Sequence, residues 1–244
     1  MVPIVTAEQR AALRDDGYFV LDRVFTTAEM KAVAGRIEDH QRRHEEVLRA
    51  DNSGGGISRA DEITFTAYLA ENDPAIREFV LRPEFVAIAT QILGPDIDLY
   101  WNQSVFKAPE GTKEFPWHQD DGYKAVDPSP YLTLWLAVND ATAENGTISV
   151  LPGSHKRGLL PHESTPVGLA CHRLDDPHQG VVVPVSAGSM AVFWSLTAHK
   201  SGVNRTSGTR KAYVIQYCHA GLKVAATGEL LPGLLPVARG GVAA

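Results

Sequence analysis

Apolar residues recur at helical spacing in the first hundred positions and in short runs or alternations after it. Thr6 with Gln9, and Thr26 with Glu29, have the spacing of a capping box and mark two helix starts. Between them GYFVLDRVF (17–25) is rich in aromatic and β-branched residues and reads as a short strand. Met30, Val33, Ala34 and Ile37 then repeat on one helical face, and the helix is expected to stop before NSGGG at Asn52. Helical character returns over about Pro74 to Leu93, with Ile76, Phe79 and Val80 on one face and Phe85, Ile88, Ala89 and Ile92 on the next. From Ile97 onward the strand-like runs DLYWNQSVFKA, YLTLWLAVND, TISVLP, GVVVPV, SMAVFW and KAYVIQY are separated by Gly, Pro, Asn and Asp. A helical start followed by many short strands predicts an antiparallel sandwich or barrel with helices packed outside it.

The 244 residues suffice for one sizeable core, and a single domain over 1–244 is expected. A formal charge of −6 without a basic cluster argues against nucleic acid as a partner. Two cysteines, Cys171 and Cys218, provide neither a disulfide framework nor a cysteine-rich zinc site. The first residues lack the charged start and apolar run of a signal peptide, and no window approaches a membrane span, so a soluble, cytoplasmic protein is expected. Two stretches without regular pattern, Ala50 to Ile63 and Lys156 to Gly180, are long enough to be binding loops or lids, and Gly54, Gly55 and Gly56 make the first the more mobile expectation.

Chemistry concentrates in Phe115-Pro116-Trp117-His118-Gln119-Asp120. On an extended strand His118 and Asp120 point to the same side and can ligate one ion. With nine histidines and 29 acidic residues, roughly one His-x-Asp/Glu arises by chance, so the pair alone is weak. The other instance, His44-Glu45-Glu46, falls in a helix, where positions two apart diverge, and reads as a solvated face. What strengthens His118 and Asp120 is His199, expected near the end of the strand SMAVFWSLTAH, with Arg210 opening the next strand beyond the turn NRTSG. Two histidines and one carboxylate form the facial triad of non-haem Fe(II) oxygenases. A buried Arg210 beside them would require an anion, which a dicarboxylate chelating the metal at its other end supplies.

These segments, with GYFVLDRVFTTAEM, WHQDDGY, LTLWLAVNDATAENGTISVLPGSHKRG and AHKSGVNRTSGTRKAYVIQY, cover most of the chain and resemble the phytanoyl-CoA dioxygenase family of Fe(II)- and 2-oxoglutarate-dependent oxygenases. The resemblance implies a mainly β fold, a double-stranded β-helix (jelly roll) with flanking N-terminal helices, and iron held by His118, Asp120 and His199. By position it implies that Arg210 and Ser201 bind the far carboxylate of 2-oxoglutarate, that Trp135 lines its pocket and that Gln103 contacts it. Thr64 falls where some relatives place a lysine toward the cosubstrate, leaving a hydroxyl contact at most. The tryptophan- and histidine-rich signature of the ectoine hydroxylases is absent, since the chain reads DDGYKAVDPSP after the first ligands. Asp121 is expected as a solvated loop carboxylate, and the irregular spacing of His162, His172 and His178 argues against a second metal site.

The expected activity is hydroxylation of an unactivated carbon of a small organic molecule, using Fe(II), 2-oxoglutarate and O2 and releasing succinate and CO2, in a monomer or small homo-oligomer. Two other readings stay open at this point: a zinc-dependent hydrolase using metal-bound water, and a non-catalytic jelly-roll binding module for a metal-chelated acid.

Overall fold

Thr6 and Thr26 start helices as their spacing predicts. In the computed structural model, which describes residues 4–50, 57–109, 113–172, 174 and 180–244, Thr6 and Gln9 cap α1 (Ala7–Asp15) reciprocally, at 3.2 and 3.0 Å. Strand β1 (Tyr18–Leu21) follows, shorter than the expected 17–25 because the chain beyond Leu21 turns to pass the Phe25 amide to the Gly188 carbonyl. Thr26 and Glu29 cap α2 (Thr27–Ala50), which buries Met30, Val33, Ile37 and Gln41.

Strand β2 (Ile63–Ala67) and the short α3 (Leu69–Asn72) come next, and neither was visible in the periodicity. The expected 74–93 helix divides into α4 (Pro74–Val80) and α5 (Pro83–Leu93). Pro83 forces the break: it lacks an N–H and pushes Arg82 to an extended φ −59°, ψ 146°.

The remainder is strand: β3 (Ile97–Lys107), β4 (Phe115–His118), β5 (Val126–Asp127), β6 (Leu132–Ala137), β7 (Ile148–Val150), β8 (His162–Thr165), β9 (Gly168–Cys171), β10 (Val181–Val182), β11 (Met190–Trp194), β12 (His199–Ser201), β13 (Arg210–His219), β14 (Lys223–Val224), β15 (Leu235–Arg239) and β16 (Val242–Ala243). One antiparallel sheet runs β1-β11-β6-β13-β3-β15-β16, with β2 also paired to β3, and a second runs β10-β7-β12-β4. The two sheets face each other as a jelly roll, and the N-terminal helices cover the outer face of the larger one.

Both faces of the large sheet are covered, so β6 is buried at every position and reads as an apolar run rather than an alternation. Leu134, Leu136, Val192, Ile215 and Tyr217 pack outward against Ile37, Ile76, Phe85 and Ile88 of the helices. Trp135, Ala137, Phe193, Ala212 and Val214 face inward against Phe115, Ile148 and Val150 of the small sheet. The sequence-predicted site residues His118, Asp120, His199 and Arg210 line a cavity within this inner layer.

Two expectations change. The described part of the 156–180 stretch contains the hairpin β8–β9 on β4, with Gly168 so close to Phe115 that an added Cβ would meet its ring at 2.5 Å. Strand β11 ends at Trp194, and His199 opens a separate strand in the other sheet. The crossing is fixed by Thr197, whose amide donates to the Trp194 carbonyl at 2.8 Å and whose hydroxyl donates to the Gly17 carbonyl at 2.8 Å. His199 and Arg210 therefore face each other from opposite sheets instead of flanking one hairpin. Among the described residues no helix is long and apolar enough to cross a membrane.

Candidate metal centre and anion pocket

His118 is the last residue of β4 and His199 the first of β12, and the antiparallel register sets them directly opposite each other. Their rings lie 4.1 Å apart, flanked by Phe115 and Phe193. Each ring is oriented by the carbonyl two residues before it: Nδ1 of His118 is 3.0 Å from the Pro116 carbonyl, and Nδ1 of His199 is 3.0 Å from the Thr197 carbonyl. With Nδ1–H donating there, Nε2 of both rings is a free electron pair turned inward. Burial, followed by the neighbouring His199, pushes the pKa of His118 well below the usual histidine range, which keeps its ring in the neutral form a metal requires.

Asp120 lies just past the strand, at the start of a one-turn 3-10 segment (Asp120–Gly122), and not on the strand itself. Gln119 stays extended at φ −111°, ψ 140°, so the two-residue period survives the strand end and Asp120 still points with His118. Its Oδ1 lies 3.8 Å from His118 Nε2 and 3.7 Å from His199 Nε2. These separations exceed hydrogen bonds, while two metal–ligand bonds of about 2.1 Å span up to about 4.2 Å. The three ligand atoms all lie within 4.8 Å of one another. The opposite oxygen, Oδ2, accepts from Thr133 Oγ1 at 2.8 Å and Gln216 Nε2 at 2.9 Å.

Arg210, 1% exposed, projects from the first position of β13 into the same cavity. Its Nη1 donates to the Val105 carbonyl at 3.1 Å, its guanidinium carbon lies 5.3 Å from the Trp135 ring centre, and its Nε has no partner. Burial pushes its pKa down to about 9, so the group is charged at neutral pH with donor capacity unused. A buried cation with an orphaned donor, at one end of a cavity whose other end carries a His-Asp-His set, fits an anion that also reaches the metal.

Ser201, Gln103 and Trp135 line this cavity. Thr64 does not. On β2, Ile63 and Phe65 line the cavity, so Thr64 between them faces α2, where it hydrogen-bonds Gln41 and lies 3.5 Å from Glu45 Oε1. Trp117 alternates with the inward His118 and sits on the outer side, under the Lys200 ammonium at 5.4 Å. Asp121 is buried, not solvated: it accepts from Ser129, and burial raises its pKa to about 6. His162 uses both ring nitrogens, Nε2 accepting from the Gln119 amide at 3.0 Å and Nδ1 donating to the Leu160 carbonyl at 2.7 Å, while His172 pairs with Glu163 at 3.1 Å. His178 and Gly54 to Gly56 lie outside the described residues.

Thr133 and Gln216 escaped the sequence reading, yet each left a signal. Each is a polar side chain inside an apolar run, on the same alternation as Trp135 and Val214. Gln119 also escaped it: its side chain donates to the Gly158 and Leu196 carbonyls at 2.9 and 2.7 Å and accepts from the Leu160 amide at 2.7 Å, holding the backbone between the two ligand positions.

A family model described as phytanoyl-CoA dioxygenase matches residues 13–212. The chain is 25% identical over 226 residues to a probable alpha-ketoglutarate-dependent hypophosphite dioxygenase of Stutzerimonas stutzeri, covering 88% of this chain and 79% of that protein. It is 28% identical over 238 residues to a probable phytanoyl-CoA dioxygenase of Caenorhabditis elegans, covering 88% and 76%. Among solved structures, the non-heme alpha ketoglutarate dependent carbocyclase SnoK from nogalamycin biosynthesis superposes with a TM-score of 0.75 at 26% identity, covering 95% of this chain and 96% of that one.

Proposed function

The chain belongs to the phytanoyl-CoA dioxygenase family, and from that premise we propose that it hydroxylates an unactivated carbon of a small organic metabolite, releasing succinate and CO2. It is a 2-oxoglutarate-dependent non-haem iron dioxygenase. In our reading His118, Asp120 and His199 hold the iron, and Arg210 takes the far carboxylate of 2-oxoglutarate beside Ser201, Gln103 and Trp135.

Fe(II) bound there supplies the chelation of the 2-oxo acid and the activation of dioxygen that couple decarboxylation to substrate oxidation. The chain's own residues supply orientation. The Pro116 and Thr197 carbonyls hold the imidazoles with Nε2 inward, and Thr133 with Gln216 leaves Asp120 Oδ1 as the inward oxygen. Arg210 fixes the length and direction of the dicarboxylate, while Phe115 and Phe193 beside the imidazoles exclude water.

The observation that carries this reading is the buried guanidinium of Arg210, with Nε unpartnered, in the same cavity as the His-Asp-His set. A zinc hydrolase would need a further general base, and among the described residues lining the cavity Asp120 is the only carboxylate. A binding module would give no turnover. Anaerobic addition of Fe(II) and 2-oxoglutarate is expected to give a visible charge-transfer band, followed by succinate on admitting air with a metabolite panel present. Absence of both would remove the oxygenase reading, and succinate without any hydroxylated product from the panel would remove the hydroxylation.

A further inference from the structure

The inward face of β3 carries Gln103 and Val105 on the cavity wall and, two residues further on, Lys107. Lys107 is fully buried and is the direct cross-strand partner of Arg210 in the β3–β13 ladder. Like charges directly opposite each other are destabilising, the more so away from water. Among the described residues neither cation forms an ion pair, and Glu114, whose charge acts on Lys107, is paired with Lys200. The Lys107 ammonium instead donates to three backbone carbonyls, those of Lys113 at 3.1 Å, Ser201 at 3.2 Å and Gly202. Lys113 precedes β4, which carries His118, and Ser201 ends β12, which carries His199.

We propose that Lys107 is a positioning residue for 2-oxoglutarate: it ties the ends of both metal-ligand strands to β3, and it supplies, behind Arg210, a second buried positive charge matched to a dicarboxylate. The proposal rests on the reading of Arg210 as the far-carboxylate ligand. All three ammonium protons point at carbonyls, so Lys107 acts through Ser201, whose side chain lines the cavity, and through its field. Among the described residues this buried pair of cations has no carboxylate paired to it, which is costly in the free protein, and a dianion relieves that cost on binding.

Among the described residues, the charged groups facing Lys107 are Arg210 from β13 and Glu114 from the segment before β4; β2 presents Ile63 and β12 presents carbonyls. Burial first, then Arg210, brings the ammonium down to about 7, with Glu114 opposing. A bound dianion favours the charged form and raises that pKa. Above about pH 7, binding must therefore take up a proton, and affinity falls as pH rises.

The test is anaerobic calorimetric titration of 2-oxoglutarate into the Fe(II)-loaded full chain at pH 6.5 and 8.5, in buffers of different ionisation heat. The wild type is expected to take up a fraction of a proton at pH 8.5 and to bind several-fold more weakly there. Lys107→Met should bind about tenfold more weakly at pH 6.5, without that pH dependence and with Fe(II) stoichiometry retained. Lys107→Arg, charged at both pH values, should recover affinity at pH 8.5. Wild-type affinity and proton uptake in Lys107→Met would overturn the proposal. If that variant fails to fold, absence of proton uptake by the wild type at pH 8.5 overturns it. Arg210→Met, titrated in parallel, separates the two readings. Normal binding there overturns the Arg210 assignment and this proposal with it, while weakened binding there beside normal binding in Lys107→Met overturns only the role of Lys107.

Discussion

Gln216 Nε2 donates to Asp120 Oδ2 at 2.9 Å, and the oxygen it engages is the one turned away from His118 and His199. Thr133 Oγ1 approaches the same oxygen at 2.8 Å and lies 3.2 Å from Gln216 Nε2, so two strands of the large sheet fix a carboxylate carried by the small one. Asp120 thus presents a single, defined oxygen inward. The double variant Gln216→Leu, Thr133→Val should lower Fe(II) affinity by roughly ten- to a hundredfold while leaving the melting temperature of the metal-free protein close to the parent. Metal titration with unchanged affinity would show that Asp120 needs no such support. The single variants His118→Ala, Asp120→Ala and His199→Ala should each lose bound iron and succinate formation together, and near-normal turnover in any one removes that residue from the set.

Arg210→Ala should raise the 2-oxoglutarate concentration required by on the order of a hundredfold or more, since removing one partner of a buried charged pair costs about 3–5 kcal/mol. Iron content should stay the same. Arg210→Lys should rescue only in part, because an ammonium is a point charge without the planar fork. An unchanged cosubstrate titration in Arg210→Ala would place the far carboxylate elsewhere.

His162 accepts a hydrogen bond from the Gln119 amide through a neutral ring, and burial lowers its pKa from the usual value near 6.5. For a histidine held neutral in the fold, the unfolded chain binds more protons at low pH. The contribution to stability is therefore complete above about pH 6.5 and is lost as pH falls toward the lower folded value. His162→Ala leaves the Gln119 amide without its acceptor and should cost about 1–3 kcal/mol at pH 7.5. Melting curves of the two proteins should converge as pH drops toward 5, and a gap that widens on acidification would contradict the neutral ring.

Gly146 sits at φ +82°, and a Cβ there would meet the Gly202 carbonyl oxygen at 2.4 Å. Gly202 in turn accepts from Lys107. Gly146→Ala should therefore destabilise the fold by about 1–3 kcal/mol from backbone strain alone, with the clash adding to it. Chemical denaturation measures this directly, and an unaltered midpoint would mean that the turn relaxes without cost.

With Asp120 as an iron ligand, as proposed, the coordination position that a halide would need is filled. Turnover in chloride-free buffer should match that in its presence, with no chlorinated product by mass spectrometry. Detection of such a product from the unmutated protein would contradict Asp120 as a ligand.

The sequence by itself determined what depends on short spacing. The capping boxes at Thr6 and Thr26 act within one turn of helix, so three residues suffice to read them. His118 and Asp120 share a side because one extended residue, Gln119, separates them, and that geometry holds although Asp120 lies beyond the strand. The apolar runs gave the strands of the sandwich, since burial on both faces demands apolar side chains at successive positions. The tertiary structure alone decided which face of each strand meets the cavity and which strands meet each other. A shift of one residue exchanges every side chain between the two faces, and nothing local to ITFTA says that Ile63 and Phe65 turn inward while Thr64 turns to Gln41 on α2. The same holds for His199 and Arg210, close in sequence yet held on opposite sheets, and for Asp121, Lys107 and Gln216. Besides near neighbours such as Ser129 and Lys113, each of these last three meets a segment tens of residues away, Asp121 at Ser195, Lys107 at Ser201 and Gln216 at Asp120, and pairing at that range is fixed by the packing of the whole sandwich.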